Sequence, residues 1–221
     1  MTISDMTHFG QRALSRLLGL VAVLIVGSIL PAAAAHAADG PATLLVVGDS
    51  ISAEFGLARD SGWVQLLRER LKAQHLDYNV VNASISGDTT SNGLARLPAL
   101  LAQYHPRLVI IELGGNDGLR GMPVSTARSN LVQMITLSKA AGARIVITGI
   151  QMPPNYGPQY TSAFAAMYPD IARTEHVVLV PFLFQGFAED TELFQGDRIH
   201  PSASAQPMLL DNVWGPLKPL L

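Results

Sequence analysis

The sequence predicts an α/β fold, a mostly parallel sheet covered by helices on both faces. Three observations carry this: short β-branched apolar runs alternate with longer stretches of helical periodicity, the runs are continuous rather than alternating, and Gly- or Pro-containing loops separate them. Continuous apolar runs belong to strands buried on both faces, which is the environment of a parallel sheet.

In chain order, Thr43–Val47 (TLLVV) is the first strand. After the loop Gly48–Leu57, Ser61 is positioned to cap a helix whose Trp63, Leu66, Leu67 and Leu71 recur at helical spacing. Tyr78–Val81 reads as the second strand. Leu94, Leu97, Leu100, Leu101 and Tyr104 mark a second helix, which His105-Pro106 ends because a residue before proline is driven out of the helical region. Leu108–Leu113 (LVIIEL) is the third strand, followed by a turn at Gly114-Gly115. A helix from about Val124 to Ala141 carries Leu131, Ile135 and Ser138 on one stripe and stops at Gly142. Arg144–Ile150 is the fourth strand. Beyond the Pro153-Pro154 turn, Phe164, Met167 and Ile171 give another helix, Val177–Val180 a short fifth strand, and the tail from Ser202 a final helix.

Right-handed crossovers then give a three-layer α/β/α arrangement around a five-stranded parallel sheet, with the flavodoxin-like order 2-1-3-4-5. Ligands of such sheets bind outside the carboxyl ends of the strands. The loops after Val47, Asn82, Leu113 and Ile150 crowd that edge.

Residues 1–37 are a different kind of sequence. Arg12 and Arg16 form a basic start, Leu17–Leu30 an apolar run of 14 residues, and Ala35-His36-Ala37 a small-residue cleavage site. That order is expected of a secretory signal peptide, and the run is short of the ~18–20 residues that span a bilayer. The expected division is therefore a signal peptide over 1–37 and one domain over 38–221, with the mature chain periplasmic or secreted and no transmembrane segment in it. Loss of Arg12, Arg16 and Asp5 moves the formal net charge from −2 to −3. Neither value, nor any Lys/Arg cluster, recommends nucleic acid as a partner. The chain has no cysteine, which excludes thiol catalysis, thiolate metal sites and lipid attachment through cysteine. Hydrophobic content of 48% against 14% charged residues is ample for a buried core without disulfides.

Among the six histidines, His8 and His36 fall in the leader, and His75, His105 and His176 sit at element ends as surface or cap residues. His200 differs, standing three residues after Asp197 in Gly196-Asp197-Arg198-Ile199-His200-Pro201. Asp-x-x-His can set a carboxylate against the imidazole Nδ1–H and leave Nε2 as a general base. It can equally be a helix start with Asp197 as its cap. No second histidine lies near enough to make a metal site. Ser50 follows the first strand in Gly48-Asp49-Ser50, at the ligand edge, and is either a nucleophile or an ordinary turn serine. It lacks the Gly-x-Ser-x-Gly elbow. Gly87, in Asn82-Ala83-Ser84-Ile85-Ser86-Gly87-Asp88, offers a bare backbone N–H. In Gly114-Gly115-Asn116-Asp117 two glycines lift Asn116 off the strand end. A backbone donor and an Asn side chain beside a serine are what a developing oxyanion requires, although each block alone could be a plain turn. Neither a Walker lysine nor Gly-x-Gly-x-x-Gly is present, so nucleotide binding is unsupported.

Taken in order, Gly48-Asp49-Ser50, Gly87, Gly114-Gly115-Asn116-Asp117 and Asp197-x-x-His200 resemble the GDSL, or SGNH, hydrolases across essentially the whole of residues 38–221. Gly118-Leu119-Arg120-Gly121, Pro154-Asn155-Tyr156-Gly157 and Gly196–Pro201 bring the resemblance nearest to the bacterial periplasmic thioesterase/arylesterase/lysophospholipase branch. The resemblance implies Ser50 as nucleophile, His200 as base oriented by Asp197, and an oxyanion hole from the Ser50 and Gly87 amides and the Asn116 side chain. It implies an ester or thioester substrate with an acyl chain, and no metal or cofactor. Leu119, Met122, Pro154 and Tyr156 are the candidate walls of the acyl pocket. A monomer is expected. Glu54-Phe55 departs from the family, in which a small residue often follows the nucleophile block, and puts the cleft rim in doubt. A carbohydrate acetylesterase or acyltransferase on the same scaffold is the alternative, and a non-catalytic binding module the rival of another class.

Overall fold

The computed structural model describes residues 40–221. The expected signal peptide and its cleavage site lie outside the described residues. Five strands, β1 (Ala42–Gly48), β2 (Tyr78–Asn82), β3 (Leu108–Glu112), β4 (Arg144–Thr148) and β5 (Val178–Val180), form one sheet in the order β2-β1-β3-β4-β5, every neighbour parallel. The order and the α/β/α architecture are those the sequence predicts.

The described residues hold six α-helices, α1 (Trp63–Ala73), α2 (Thr90–Tyr104), α3 (Gly115–Leu119), α4 (Val124–Ala140), α5 (Pro158–Glu175) and α6 (Gln206–Leu217). From β1 the chain steps outward to β2 and then crosses back to β3. Right-handed crossovers therefore put α1 on one face and α2, α4 and α5 on the other, and α6 packs beside α1. Leu44 to Val47 and Leu108 to Ile110 are fully buried in the middle strands, each worth about 1.5–3 kcal/mol of transfer free energy. The reversal of direction at β1 and β3 opens a crevice at their carboxyl ends, the switch point of this class of sheet.

Two local expectations are corrected. Ser61 does not cap α1: its hydroxyl donates to the Ala58 carbonyl, and Gly62 occupies the cap position. Gly114-Gly115 is not a simple turn, because Gly115 opens α3 and Asn116 sits in its first turn. Five residues are too few for a periodic apolar signal, so the helix was illegible from the pattern. His75, His105 and His176 all take positive φ, the last two as left-handed caps of α2 and α5. All three are exposed, in keeping with surface or cap residues; His75 lies one residue past Gln74, the C-cap of α1.

Candidate active site

Ser50 lies one residue beyond Asp49 at the end of β1, in a tight coil closed by the Ala53 amide on the Asp49 carbonyl and the Phe55 amide on the Ser50 carbonyl. His200 and Asp197 come from the far end of the chain. There an antiparallel bridge between Phe194 and Pro201 and the Gln195 amide on the His200 carbonyl close a short loop. Arg198 turns that loop at φ 57°. The structure brings the three together: Asp197 Oδ2 is 2.6 Å from His200 Nδ1, and His200 Nε2 is 2.8 Å from Ser50 Oγ. With Nδ1–H donating to the carboxylate, Nε2 is left to accept the Ser50 hydroxyl proton.

Asp197 also accepts the Ile199 and His200 amides on Oδ1, at 2.9 and 3.0 Å. Asp197 thus orients the imidazole and braces a loop turn; it is not the cap of a helix start, because α6 begins only at Gln206. Desolvation pulls the Asp197 carboxyl upward. The Ile199 amide, the His200 imidazole and the His200 amide outweigh it and push the pKa down to about 2. It remains an anion at every working pH.

The other two loops meet the first. Gly87 stands at φ 84° in an exposed turn, a conformation in which glycine carries no Cβ penalty. A Cβ there would meet nothing within 4 Å, so the backbone angle and not crowding selects glycine. Asn116 donates from Nδ2 to Asp49 Oδ2 at 3.1 Å, which fastens its loop to the nucleophile loop. Asp117 is fully buried and accepts from the Thr90 amide at 2.8 Å and its hydroxyl at 2.6 Å, tying α3 to the start of α2. Arg96 completes the lacing. It pairs with Asp88 at 2.7 Å and donates to the Ala83 and Gly48 carbonyls, so one guanidinium holds the Gly87 loop to the end of β1.

The four candidate wall residues divide. Tyr156 donates its hydroxyl to the Leu119 carbonyl at 2.9 Å, and Tyr160 does the same to Met122 at 2.7 Å. Leu119, Met122 and Tyr156 thus share one neighbourhood, half-buried, whereas Pro154 is exposed. A cavity of about 650 Å³ is lined by Gln151, Phe182 and the loop 185–190, and none of the four touches it.

Several residues escaped the sequence reading. Phe55 lays its ring against His200, centroids 4.4 Å apart and the planes tilted by 38°, while remaining 49% exposed. Its neighbour Glu54 is engaged elsewhere: the carboxylate accepts the Asp60 and Gly62 amides at 2.9 and 2.8 Å, at the start of α1. Of that pair the aromatic ring, not the carboxylate, meets the catalytic histidine candidate. Glu112, inside LVIIEL, is another such residue. The signal was available, since a lone carboxylate in a run expected to be buried on both faces needs a partner.

Known proteins resemble this chain over most of its length. The family model described as GDSL-like lipase/acylhydrolase matches residues 46–206. Esterase TesA of Pseudomonas aeruginosa is 56% identical over 179 residues, 81% of this chain and 89% of that protein. Thioesterase 1/protease 1/lysophospholipase L1 of Escherichia coli K12 is 44% identical over 187 residues, 85% of this chain and 87% of that protein. A crystal structure of TesA superposes with a TM-score of 0.79 at 56% identity, over 81% of this chain and 99% of that one. With an α/β/α fold, four ordered sequence blocks and relatives of this closeness, the chain belongs to the GDSL-like lipase/acylhydrolase family and is a serine esterase/thioesterase.

Proposed function

We propose that this enzyme is exported after cleavage behind Ala37 and hydrolyses acyl esters and thioesters through an acyl-enzyme on Ser50. The observation that carries the reading is the unbroken contact chain Asp197–His200–Ser50, at 2.6 and 2.8 Å. Ser50 Oγ attacks the acyl carbonyl as His200 Nε2 takes its proton, and the imidazolium so formed is balanced by the Asp197 carboxylate. The carbonyl oxygen, now an anion, is received by the Ser50 and Gly87 amides and the second Nδ2–H of Asn116. His200 returns the proton to the departing alcohol or thiol. Water then repeats the sequence on the acyl-enzyme and releases the carboxylic acid.

The acyl chain is assigned to the segment after Asn116, where Leu119 and Met122 are held by the Tyr156 and Tyr160 hydroxyls. An apolar acyl chain suits that lining, and the leaving group then faces Phe55 beside His200. Relatives with esterase, thioesterase and lysophospholipase in their names support an amphiphilic acyl substrate.

The test is a series of p-nitrophenyl esters from acetate to palmitate, run with an acyl-CoA thioester and with an added sugar acceptor. Activity rising toward medium or long chains, with free acid as product, is expected. Activity confined to acetate, or acyl transfer to the sugar, would contradict the acyl-chain assignment. Export is checked by N-terminal sequencing of the enzyme from a periplasmic extract, which should begin at Ala38.

A further inference from the structure

Beneath the candidate oxyanion hole lie two carboxyl groups for which the reaction as written has no use. Gly48 and Glu112 are register partners on β1 and β3, and the missing side chain of Gly48 leaves the space that the Glu112 carboxyl enters. A Cβ on Gly48 would stand 2.7 Å from Glu112 Oε2 and 2.8 Å from Ser52 Oγ. Glu112 is fully buried. Its Oε2 accepts the Ser52 hydroxyl at 2.7 Å and the Asp49 amide at 3.3 Å, while Oε1 has no partner among the described residues. Asp49 is 2% exposed, its Oδ1 on the Ile51 amide and its Oδ2 on Asn116 Nδ2, each at 3.1 Å.

Two adjacent buried carboxyls do not both ionise. Burial and the nearby Asp49 hold Glu112 well above the ordinary carboxylate range, so it keeps its proton. Burial also raises Asp49, but the Ile51 amide, the Asn116 side chain and the His200 charge pull it back to about 6. Above that pH Asp49 is the anion of the pair.

A carboxylate has no proton to give, so it accepts only. An Asn carboxamide beside it is therefore set with its nitrogen toward the carboxylate, because the half-turn rotamer would place oxygen against an anion. One Nδ2–H of Asn116 is then taken by Asp49, and the other is left for the substrate oxygen. We propose that Asp49 is the positioning residue of the oxyanion hole, fixing by its accept-only carboxylate which end of the Asn116 side chain meets the substrate. The inference rests on Asn116 being an oxyanion donor.

The experiment compares wild type, Asp49→Asn, Asn116→Ala and the double variant on a medium-chain p-nitrophenyl ester, with kcat and KM measured separately. In Asp49→Asn the new amide draws the Asn116 oxygen toward itself and turns the donor away. The kcat should fall about 100-fold, the scale of a lost oxyanion donor, with KM within about threefold. Added to Asn116→Ala, the same change should cost less than about threefold, because its target is already gone. A single variant keeping more than about a third of the kcat would overturn the proposal. So would an equal loss in both backgrounds, the mark of a merely structural role. If Asn116→Ala alone loses less than about threefold, the oxyanion reading fails instead. Should Asp49→Asn not fold, the wild type decides through the ¹⁵N-bound side-chain protons of Asn116. One is expected to be shifted downfield and protected from solvent exchange; free exchange of both would overturn the assignment.

Discussion

His200 Nε2 and Ser50 Oγ stand 2.8 Å apart although 150 residues of chain separate them. The contact exists because parallel strands carry every crossover back to one edge, and because the last loop before α6 returns to that edge beside β1. Asp197, 2.6 Å behind the imidazole, sets the tautomer that leaves Nε2 free to accept.

Replacement of Asp197 by Asn keeps the size and replaces the accept-only oxygen facing Nδ1. The carboxamide favours the wrong tautomer, so kcat should fall about 10³- to 10⁴-fold with little change in KM. Because Oδ1 still has two amides to accept, the variant should fold normally. Steady-state kinetics with a thermal melt checks both halves. A loss below tenfold would remove Asp197 from the mechanism.

Phe55 holds its ring 4.4 Å from the imidazole while half of it faces solvent. An aromatic contact of this kind is worth about 0.5–1.5 kcal/mol, so Phe55→Ala should lower kcat/KM by roughly 2- to 13-fold. Stability should barely move, since the side chain is not part of the core. The loss should be larger for aryl than for alkyl leaving groups, which a paired phenyl and ethyl ester series reads directly. Equal losses on both would leave Phe55 as a support for His200 with no part in leaving-group binding.

Glu112 makes stability pH-dependent in a stated direction. Its folded pKa lies well above its unfolded value near 4.5, so its contribution is fully present below about pH 4.5 and lost as pH rises toward the folded pKa. Glu112→Gln removes that titration while keeping the acceptor for Ser52. The variant should therefore melt above wild type at pH 8, the gap shrinking as pH falls toward 5. A gap that is constant across this range would mean Glu112 does not titrate on unfolding.

The architecture was legible because it follows from periodicity. Leu44–Val47, Leu108–Leu113 and the helical stripes of Leu67, Leu97 and Leu131 all lie buried where the pattern puts them. The candidate triad and oxyanion blocks were legible because each follows a strand at the ligand edge and because the four blocks, taken in order, resemble the GDSL, or SGNH, hydrolases; each alone could be a plain turn. Short-range structure was not. The helix that carries Asn116 is five residues long, and the Glu54–Gly62 contact that replaces a Ser61 cap depends on a side chain reaching eight residues forward along the loop. Lacing between loops was equally hidden: Arg96 to Gly48 and Asp117 to Thr90 join residues that no spacing rule links. Glu112 was visible as an anomaly in its strand, but its partner Asp49 becomes apparent only once β1 and β3 are in register.

The central claim is that Ser50 is the nucleophile, and fluorophosphonate labelling followed by peptide mass analysis tests it most directly. A single phosphonyl group on the peptide containing Ser50, with activity lost in step and no labelling of Ser50→Ala, is the predicted result. Label on another serine, or ester hydrolysis surviving in Ser50→Ala, would contradict it.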